Sequence, residues 1–316
     1  AAEDFFSESE IVRSMFANLI GAPPDCVAIV PSASYGVSIA ATNVTFKHGQ
    51  KVILLHEQFP SNVYPWRQLS TDNDGSVIEV SRPSNGDWAT AIIDSMDSNT
   101  AVVAVPHCHW TDGGLVNLER VSEACRNHDA ALIIDATQSL GALPLDISRV
   151  QPDFLVSASY KWLLGPYSLG FVYVAPKYHG GRPLEQTWIS REGSQDFTDL
   201  VNYRDTFQPG ARRYDMGERS NFALIPAARA SLQLISDWGI ERIAATLSAM
   251  TSEIASRARI LGLTNQPDHL RAGHFLGIRF PNVMPANLVE RLSEAGVHVS
   301  VRGTSMRVTS HLYNDN

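Results

Sequence analysis

Two side chains that could do covalent chemistry lie just beyond separate apolar runs. The run Asp153–Val156 leads through the hydroxyl-rich stretch Ser157–Tyr160 into Lys161, and the run Leu132–Ile134 ends in Asp135. A lysine amine can form a Schiff base with a carbonyl group, and a buried carboxylate can keep a pyridine nitrogen protonated. Each residue alone is a weak signal, because strand-end aspartates often cap helices and most lysines are solvated. Together they are the pair that pyridoxal phosphate chemistry requires.

Short buried strands are the elements that must position these residues. Runs rich in Val, Ile and Leu alternate with helix-like stretches such as Glu8–Ile20 and Leu118–His128, which predicts an α/β fold with a mainly parallel, seven-stranded sheet. The predicted strands are Cys26–Val30, Lys51–Leu55, Ser76–Val80, Ala101–Val105, Ala131–Ile134, Asp153–Val156 and Gly170–Val174. Ligands bind beyond the carboxyl ends of strands in such sheets. Asp135 and Lys161 therefore lie where a site is expected.

The regular alternation of short apolar runs and helix-like stretches ends after Tyr178. A polar stretch, residues 180–213, reads as an ordered loop, and helices are predicted from about Ala223 to Trp238 and from about Glu241 to Leu261. The elements that follow are predicted strands at Phe275–Phe280, His298–Arg302 and Met306–Thr309 and a helix at Pro285–Ala295. We therefore divide the chain into a large domain, residues 1–238, and a smaller C-terminal α+β domain, residues 239–316.

Composition excludes several classes of partner. The chain has 316 residues, 44% of them hydrophobic, and a net charge of −8, so it can bury a large core and is not expected to bind nucleic acid or an anionic membrane. No apolar run approaches the ~18–20 residues of a membrane span, and no signal peptide is visible. Three widely spaced cysteines, Cys26, Cys108 and Cys125, fit a reducing compartment. We expect a cytoplasmic protein.

The residues around Asp135 and Lys161 resemble a known family. Asp135-x-x-Gln138 and Ser159-Tyr160-Lys161 are similar to the class V group of fold-type I pyridoxal phosphate enzymes, which includes cysteine desulfurases, kynureninases, isopenicillin-epimerase-like proteins and class V aminotransferases. The resemblance implies that Lys161 forms the Schiff base, that Asp135 contacts the ring nitrogen and that Gln138 contacts the phenolic oxygen. The expected cofactor is pyridoxal 5'-phosphate.

The same resemblance implies further cofactor contacts. Ala33 and Ser34 begin a helix whose N-terminus should bind the phosphate, and Phe59, as in kynureninases, should stack on the ring. The hydroxyl group of Tyr160 should reach the phosphate, and Ser159 is a weaker candidate for that contact. Ser220 lies in Gly217–Asn221, which is similar to a segment that crosses the interface of a homodimer to the partner's phosphate. Two shared active sites in a homodimer are therefore expected.

Substrate contacts are implied as well. Arg307 resembles the small-domain arginine that binds the α-carboxylate of the substrate with two parallel hydrogen bonds. His109 and Trp110 belong to His107–Gly113, a loop that approaches cofactor and substrate in the family. A metal site built on the His-Cys-His run is disfavoured, because no further ligands occur at a recognisable spacing.

Two departures from the family pattern limit the function. No cysteine occurs in His298–Ser305, where desulfurases carry their nucleophile, so a persulfide-forming desulfurase is disfavoured. An N-terminal arm and a final helix are also expected to be missing, which suggests a fragment. The first interpretation is an aminotransferase-type enzyme acting on a small-molecule amino acid. The alternatives are a carbon–sulfur or carbon–carbon lyase and a non-catalytic scaffold.

Overall fold

A seven-stranded sheet forms the centre of the molecule. The computed structural model describes residues 4–314. Its large-sheet strands are β1 (Val27–Val30), β2 (Lys51–Leu55), β3 (Ser76–Val80), β4 (Thr100–Pro106), β5 (Ala131–Asp135), β6 (Phe154–Ala158) and β7 (Gly170–Val174). The strand order is β1-β7-β6-β5-β4-β2-β3, and within the described part of this sheet β7 alone runs opposite to the other six strands. The predicted mainly parallel sheet is confirmed.

Helices cover both faces of this sheet. The α-helices of the described residues are α1 (Asp4–Leu19), α2 (Ala33–Asn43), α3 (Tyr64–Asp72), α4 (Trp88–Asp94), α5 (Leu118–Asn127), α6 (Ile147–Val150), α7 (Leu224–Trp238), α8 (Ile240–Ile260) and α9 (Leu288–Glu294), of which α9 packs instead on the small C-terminal sheet. One face packs against α1, α4, α5 and α7, and the other packs against α2 and α3. Because β4 to β7 are buried on both sides, they consist almost entirely of apolar residues.

A small antiparallel sheet lies toward the C-terminal end. Its strands are β8 (Leu276–Arg279), β9 (Ser300–Arg302) and β10 (Ser305–Val308), in the order β8-β10-β9. The C-terminal half of α8 packs on it, whereas the N-terminal half of α8 packs into the larger core. This long helix therefore joins the two cores, and the division of the chain at 238/239 stays a prediction.

Buried ion pairs connect the helices, the large sheet and the small sheet. Arg13 of α1 donates to both carboxylate oxygens of Asp215, at 3.0 and 2.7 Å, and Asp215 also accepts the backbone N–H of Ile29 in β1 at 2.8 Å. The carboxylate of Asp112, after β4, accepts hydrogen bonds from Arg82 at 2.7 Å and from Arg279 of β8 at 2.9 Å. The second contact ties the small sheet to the loops that surround the site. Within residues 4–314, no helix combines the length and the apolar character that a membrane span needs.

Candidate active site

Two adjoining cavities lie at the carboxyl ends of the central strands. The first has a volume of about 300 Å³ and the second about 480 Å³. They share the lining residues Phe59, Trp110, Gln138, Tyr160 and Lys161. The structure thus brings Gln138, Tyr160 and Lys161 to one edge of the sheet, because these residues follow the ends of neighbouring strands.

Asp135 is the last residue of β5 and lines the first cavity. Only 7% of it is exposed, and its Oδ1 accepts the backbone N–H of Thr137 at 3.0 Å. Thr137 in turn accepts the backbone N–H of Ala158, at the end of β6, at 3.2 Å. These bonds hold the carboxylate in place while it faces an internal space.

Lys161 stands in the turn between β6 and β7 and lines both cavities. Its Nζ lies 5.0 Å from the centre of the Phe59 ring and 5.8 Å from that of Tyr160. Burial lowers the pKa of Lys161, nearby Asp135 opposes that change, and Arg307 lowers the pKa further. A buried amine with a lowered pKa is a stronger nucleophile at neutral pH than a solvated lysine.

The turn that carries Lys161 packs against the segment after Gln138. A Cβ atom on Gly141, where φ is +97°, would lie 2.1 Å from the backbone oxygen of Trp162, so a side chain there would push the two segments apart. The indole N–H of Trp162 also donates to Oε1 of Gln138 at 3.4 Å. The positions of Gln138 and Lys161 are thus coupled through Trp162.

The N-terminus of α2 opens into the first cavity. Ser32 caps this helix, since its hydroxyl oxygen accepts the backbone N–H of Tyr35 at 3.1 Å. Among the described residues, no hydrogen bond uses the backbone N–H groups of Ala33 and Ser34, and both residues line the cavity. Free N–H groups at the positive end of a helix form an anion-binding site.

Trp110 and Phe59 form the wall between the two cavities. Their rings meet edge to face with centroids 5.5 Å apart. The indole N–H of Trp110 donates to the backbone oxygen of Glu57 at 2.6 Å, which ties the loop after β4 to the loop after β2. Phe59 therefore presents one face toward Nζ of Lys161 and its surroundings.

Arg307 of β10 lines the second cavity. Its Nη1 donates to the backbone oxygen of Trp110 at 3.2 Å, whereas its buried Nε has no partner among the described residues. Burial, and then the charge of Arg302, lower the pKa of Arg307. A partly unsatisfied guanidinium group facing a cavity is suited to bind a carboxylate.

Three predicted residues lie outside both cavities. The ring of His109 stacks on Trp88, 5.4 Å away, and its Nε2 contacts the backbone oxygen of His56 at 3.0 Å. Burial lowers the pKa of His109 to about 4. Ser159 donates to the backbone oxygen of Pro166 at 2.5 Å, and Ser220 donates to the backbone oxygen of Phe5. The structure does not bring these three side chains together with the others.

Several lining residues were missed from the sequence. They are Ser32, Gln58, Asn62, Thr137, Tyr167 and Ser168 in the first cavity and Trp162, Arg302 and His311 in the second. Thr137 and Trp162 flank predicted residues, so adjacency could have indicated them. Tyr167 lies in a turn and Arg302 at the end of β9. Both reach the site only through the tertiary structure, and no local signal in the sequence marked them.

The lining of the first cavity fits pyridoxal phosphate. A flat ring could lie between Phe59 and the strand ends, an anion-binding helix N-terminus is free, and a carboxylate and an amine face the same space. The volume of about 300 Å³ is at the lower end of the range for small-molecule sites. Each chemical group of the cofactor thus has a complementary group in this chain.

Comparisons with known proteins agree with this chemistry. An uncharacterised aminotransferase, YcbU, of Bacillus subtilis is 30% identical over 268 residues, which cover 83% of this chain and 68% of that protein. A kynureninase of Geobacillus thermodenitrificans is 25% identical over 309 residues, 93% of this chain and 71% of that protein. The solved apo structure of a cysteine desulfurase from Thermococcus onnurineus shares the fold, with a TM-score of 0.84 at 19% identity over 98% of this chain and 80% of that one.

The family assignment rests on a match over nearly the whole sequence. A model of the family described as aminotransferase class-V matches residues 1–313. The resemblance predicted from Asp135, Gln138 and Lys161 is therefore confirmed. The chain belongs to the class V aminotransferase family, whose members use pyridoxal phosphate.

Proposed function

We propose that this chain is an enzyme in which Lys161 carries pyridoxal phosphate and an amino acid is the substrate, with amino-group transfer as the first-ranked reaction. One observation carries the proposal. The amine of Lys161 lies where two cavities meet, one containing the carboxylate of Asp135 and the other the guanidinium group of Arg307. A cofactor and an amino acid could therefore approach the same Nζ from opposite sides.

The residues of the first cavity would hold the cofactor. Asp135 would keep the ring nitrogen protonated, Phe59 would stack on the ring and Gln138 would contact the phenolic oxygen. The free N–H groups at the start of α2 and the hydroxyl group of Tyr160 would bind the phosphate. When bound, the cofactor supplies an electron sink for the bonds of the substrate α-carbon.

Lys161 and Arg307 would act on the substrate. The lowered pKa of Lys161 leaves more of the amine neutral, and a neutral amine can both form the Schiff base and accept a proton from the α-carbon. Arg307 would bind the α-carboxylate and so orient the α-carbon toward Nζ. Trp110 would form a wall of the second cavity and exclude water from it.

A lyase that cleaves a carbon–sulfur or carbon–carbon bond is the second candidate. Phe59 and Tyr160 line the site here, and these two positions are the ones that resemble kynureninases. A persulfide route is not proposed, because all three cysteines are buried and burial raises the pKa of the Cys108 thiol, the one that lines the cavity. A non-catalytic scaffold ranks third.

Absorbance spectroscopy with added pyridoxal phosphate tests the role of Lys161. We expect a visible band in the wild type, and we expect borohydride to trap the cofactor on the peptide that contains Lys161. The variant Lys161→Ala should lose both signals. The matched control Lys177→Ala, at a lysine whose side chain is 66% exposed, should keep them. A wild type without the band would overturn the proposal.

The reaction type is tested with a panel of amino acids. Transfer requires a 2-oxo acid acceptor, so a new amino acid should form only when the acceptor is present. Ammonia and a 2-oxo acid released without an acceptor would instead favour the carbon–sulfur lyase, and a shorter amino acid formed without an acceptor would favour the carbon–carbon lyase. If the protein shows the visible band but forms none of these products, the result would favour the non-catalytic scaffold.

We also propose that the active unit is a cytoplasmic homodimer. An exposed apolar cluster supports dimerisation: Phe222, 65% exposed, and Phe197, 43% exposed, both pack on Phe5 with ring centroids 5.3 and 6.0 Å away, and such surfaces commonly mark interfaces. Ser220 precedes Phe222 by two residues and donates to the backbone oxygen of Phe5, on which Phe222 packs. Light scattering should give a dimer mass that Phe222→Glu lowers and Val283→Glu, at a residue 92% exposed in the small domain, leaves unchanged. A monomeric wild type would refute it.

A further inference from the structure

Two arginines, not one, face the second cavity. Arg302 of β9 and Arg307 of β10 come from neighbouring antiparallel strands and both line it. The guanidinium carbon of Arg302 lies 5.7 Å from the ring centre of Trp110, and Nη1 of Arg307 donates to the backbone oxygen of that residue. Both positive groups are thus held around Trp110, on the side of the cavity that Lys161 also lines.

Neither arginine has an acidic partner. Among residues 4–314, no ion pair includes Arg302 or Arg307, and the one hydrogen bond of the Arg302 side chain goes to the backbone oxygen of Val301. The carboxylate of Glu57 lies beside the β9–β10 turn, about 3.8 Å from where a Cβ of Gly303 would stand. It forms no ion pair with either arginine.

The fully buried arginines in the described part of the chain are paired with carboxylates, whereas Arg302 and Arg307 are half-buried and have no such partner. Arg13 and Arg219 both contact Asp215, and Arg271 contacts Asp268 at 2.8 Å. Two adjacent guanidinium groups without a counter-ion repel one another, which is also why Arg302 lowers the pKa of Arg307. An unbalanced pair of this kind in a cavity with aromatic walls is a site for anions, because a bound negative charge relieves the repulsion.

We propose that the substrate is an amino acid whose side chain ends in a second anionic group, which Arg302 binds while Arg307 binds the α-carboxylate. The proposal rests on the proposed function, which already assigns the α-carboxylate to Arg307. One carboxylate needs one guanidinium group for two parallel hydrogen bonds. The second arginine is therefore available for a second charge, and carboxylate, sulfinate and phosphate groups share the required chemistry.

Ligand competition in the cofactor-loaded enzyme tests this substrate class. The visible band of the loaded protein is recorded first, because it reports the proposed function separately. Dissociation constants are then measured from spectral titrations with aspartate, glutamate, cysteine sulfinate and phosphoserine, and with alanine and 2-aminobutyrate as neutral references. Succinate and butyrate, which lack an amine, are measured as competitors. We expect the ligand with the additional anionic group in each comparison to bind roughly 10- to 100-fold more tightly, the range for one charge-assisted hydrogen-bonded contact.

Arginine variants test whether Arg302 causes the tighter binding of ligands that carry a second anionic group. Arg302→Gln should abolish it, so that anionic and neutral amino acids bind alike, and Arg302→Lys should retain part of it. Arg257→Gln removes the same charge from the exposed end of α8, where the arginine side chain is 76% exposed, and should keep the preference. The visible band of each variant shows that it is folded and loaded.

Three results would overturn the inference. The wild type could bind neutral and anionic ligands equally, or Arg302→Gln could weaken both kinds by the same factor, which would mean that both arginines hold a single carboxylate. Unchanged affinities for both kinds of ligand in Arg302→Gln would place the second charge elsewhere. Loss of the visible band in the wild type would instead refute the proposed function and this inference together.

Discussion

At the scale of single residues, the site depends on how charges set the state of one amine. The pKa of Lys161 is lowered by burial, raised in part by Asp135 and lowered further by Arg307. Asp135 is held by the backbone of Thr137, and Arg307 is held by the backbone of Trp110. The two opposing charges therefore act on Nζ from fixed positions.

The pH dependence of cofactor attachment should report this balance. Arg307 disfavours the protonated amine, so removing its charge in Arg307→Gln should raise the pKa of Lys161. The rate at which apoprotein forms the visible band should then reach half of its maximum at a higher pH than in the wild type. Arg257→Gln is the control for net charge and should leave the midpoint in place. A midpoint that moves to lower pH in Arg307→Gln would contradict the assignment.

The misplaced histidine also has an explanation at this scale. Cys108 and Trp110 line the cavity, whereas His109 packs on Trp88 and His107 lines a separate cavity near α5. Successive side chains of an extended segment point to opposite sides. The loop after β4 does line the cavity through Cys108 and Trp110, but this alternation points His109 away from it.

At the scale of elements, the position of α2 controls the anion-binding end of the site. Gly36 allows this helix to approach the sheet closely, because a Cβ there would lie 2.5 Å from Cγ2 of Val172 and 2.8 Å from Cγ1 of Val156. Both valines are fully buried, so they have little room to move. The phosphate-binding N–H groups at the start of α2 thus depend on a small residue one turn further along.

The variant Gly36→Ala should therefore be destabilised and should bind pyridoxal phosphate more weakly. Overpacking of a buried site costs about 1–3 kcal/mol in the free energy of unfolding. Urea denaturation measures that loss, and a titration followed by absorbance measures the affinity for the cofactor. Gly180→Ala is the control, since a Cβ at Gly180 would meet no atom within 4 Å. Equal midpoints for the two variants would show that α2 can shift without cost.

Elements were predictable to different degrees. The strands were found because continuous runs of Val, Ile and Leu, such as Leu132–Ile134, have few interpretations other than buried strands. Short helices such as α3 (Tyr64–Asp72) and α4 (Trp88–Asp94) were missed. They are too brief to show a helical period, and they are stabilised by packing of Trp66 and Trp88 into the core.

At the scale of the whole molecule, buried neutral histidines link stability to pH. His109 and His274 are fully buried, and burial is the main cause that lowers their pKa values, to about 4 and about 3. In the unfolded chain both would take up protons near the ordinary histidine pKa of about 6.5. Between these values the unfolded state binds more protons than the folded state, so stability falls as the pH falls.

The free energy of unfolding should therefore decrease from about pH 6.5 toward pH 4, by up to about 1.4 kcal/mol per pH unit for each histidine. In His274→Gln the decrease of the free energy of unfolding with falling pH should be smaller by the contribution of one histidine, because glutamine does not titrate. His48→Gln, which removes an imidazole that is 82% exposed, should follow the wild-type profile. Urea denaturation at several pH values measures the slopes, and an unchanged slope in His274→Gln would refute the explanation.

The placement of Trp110 and Trp162 has a practical consequence. The sequence contains six tryptophans, and these two line the cavities beside Lys161. An excited indole transfers energy most readily to a visible chromophore in its immediate vicinity. Intrinsic fluorescence should therefore fall when the cofactor binds, and Trp110→Phe should reduce the size of that change. The unlabelled protein then provides its own optical signal for occupancy of the site.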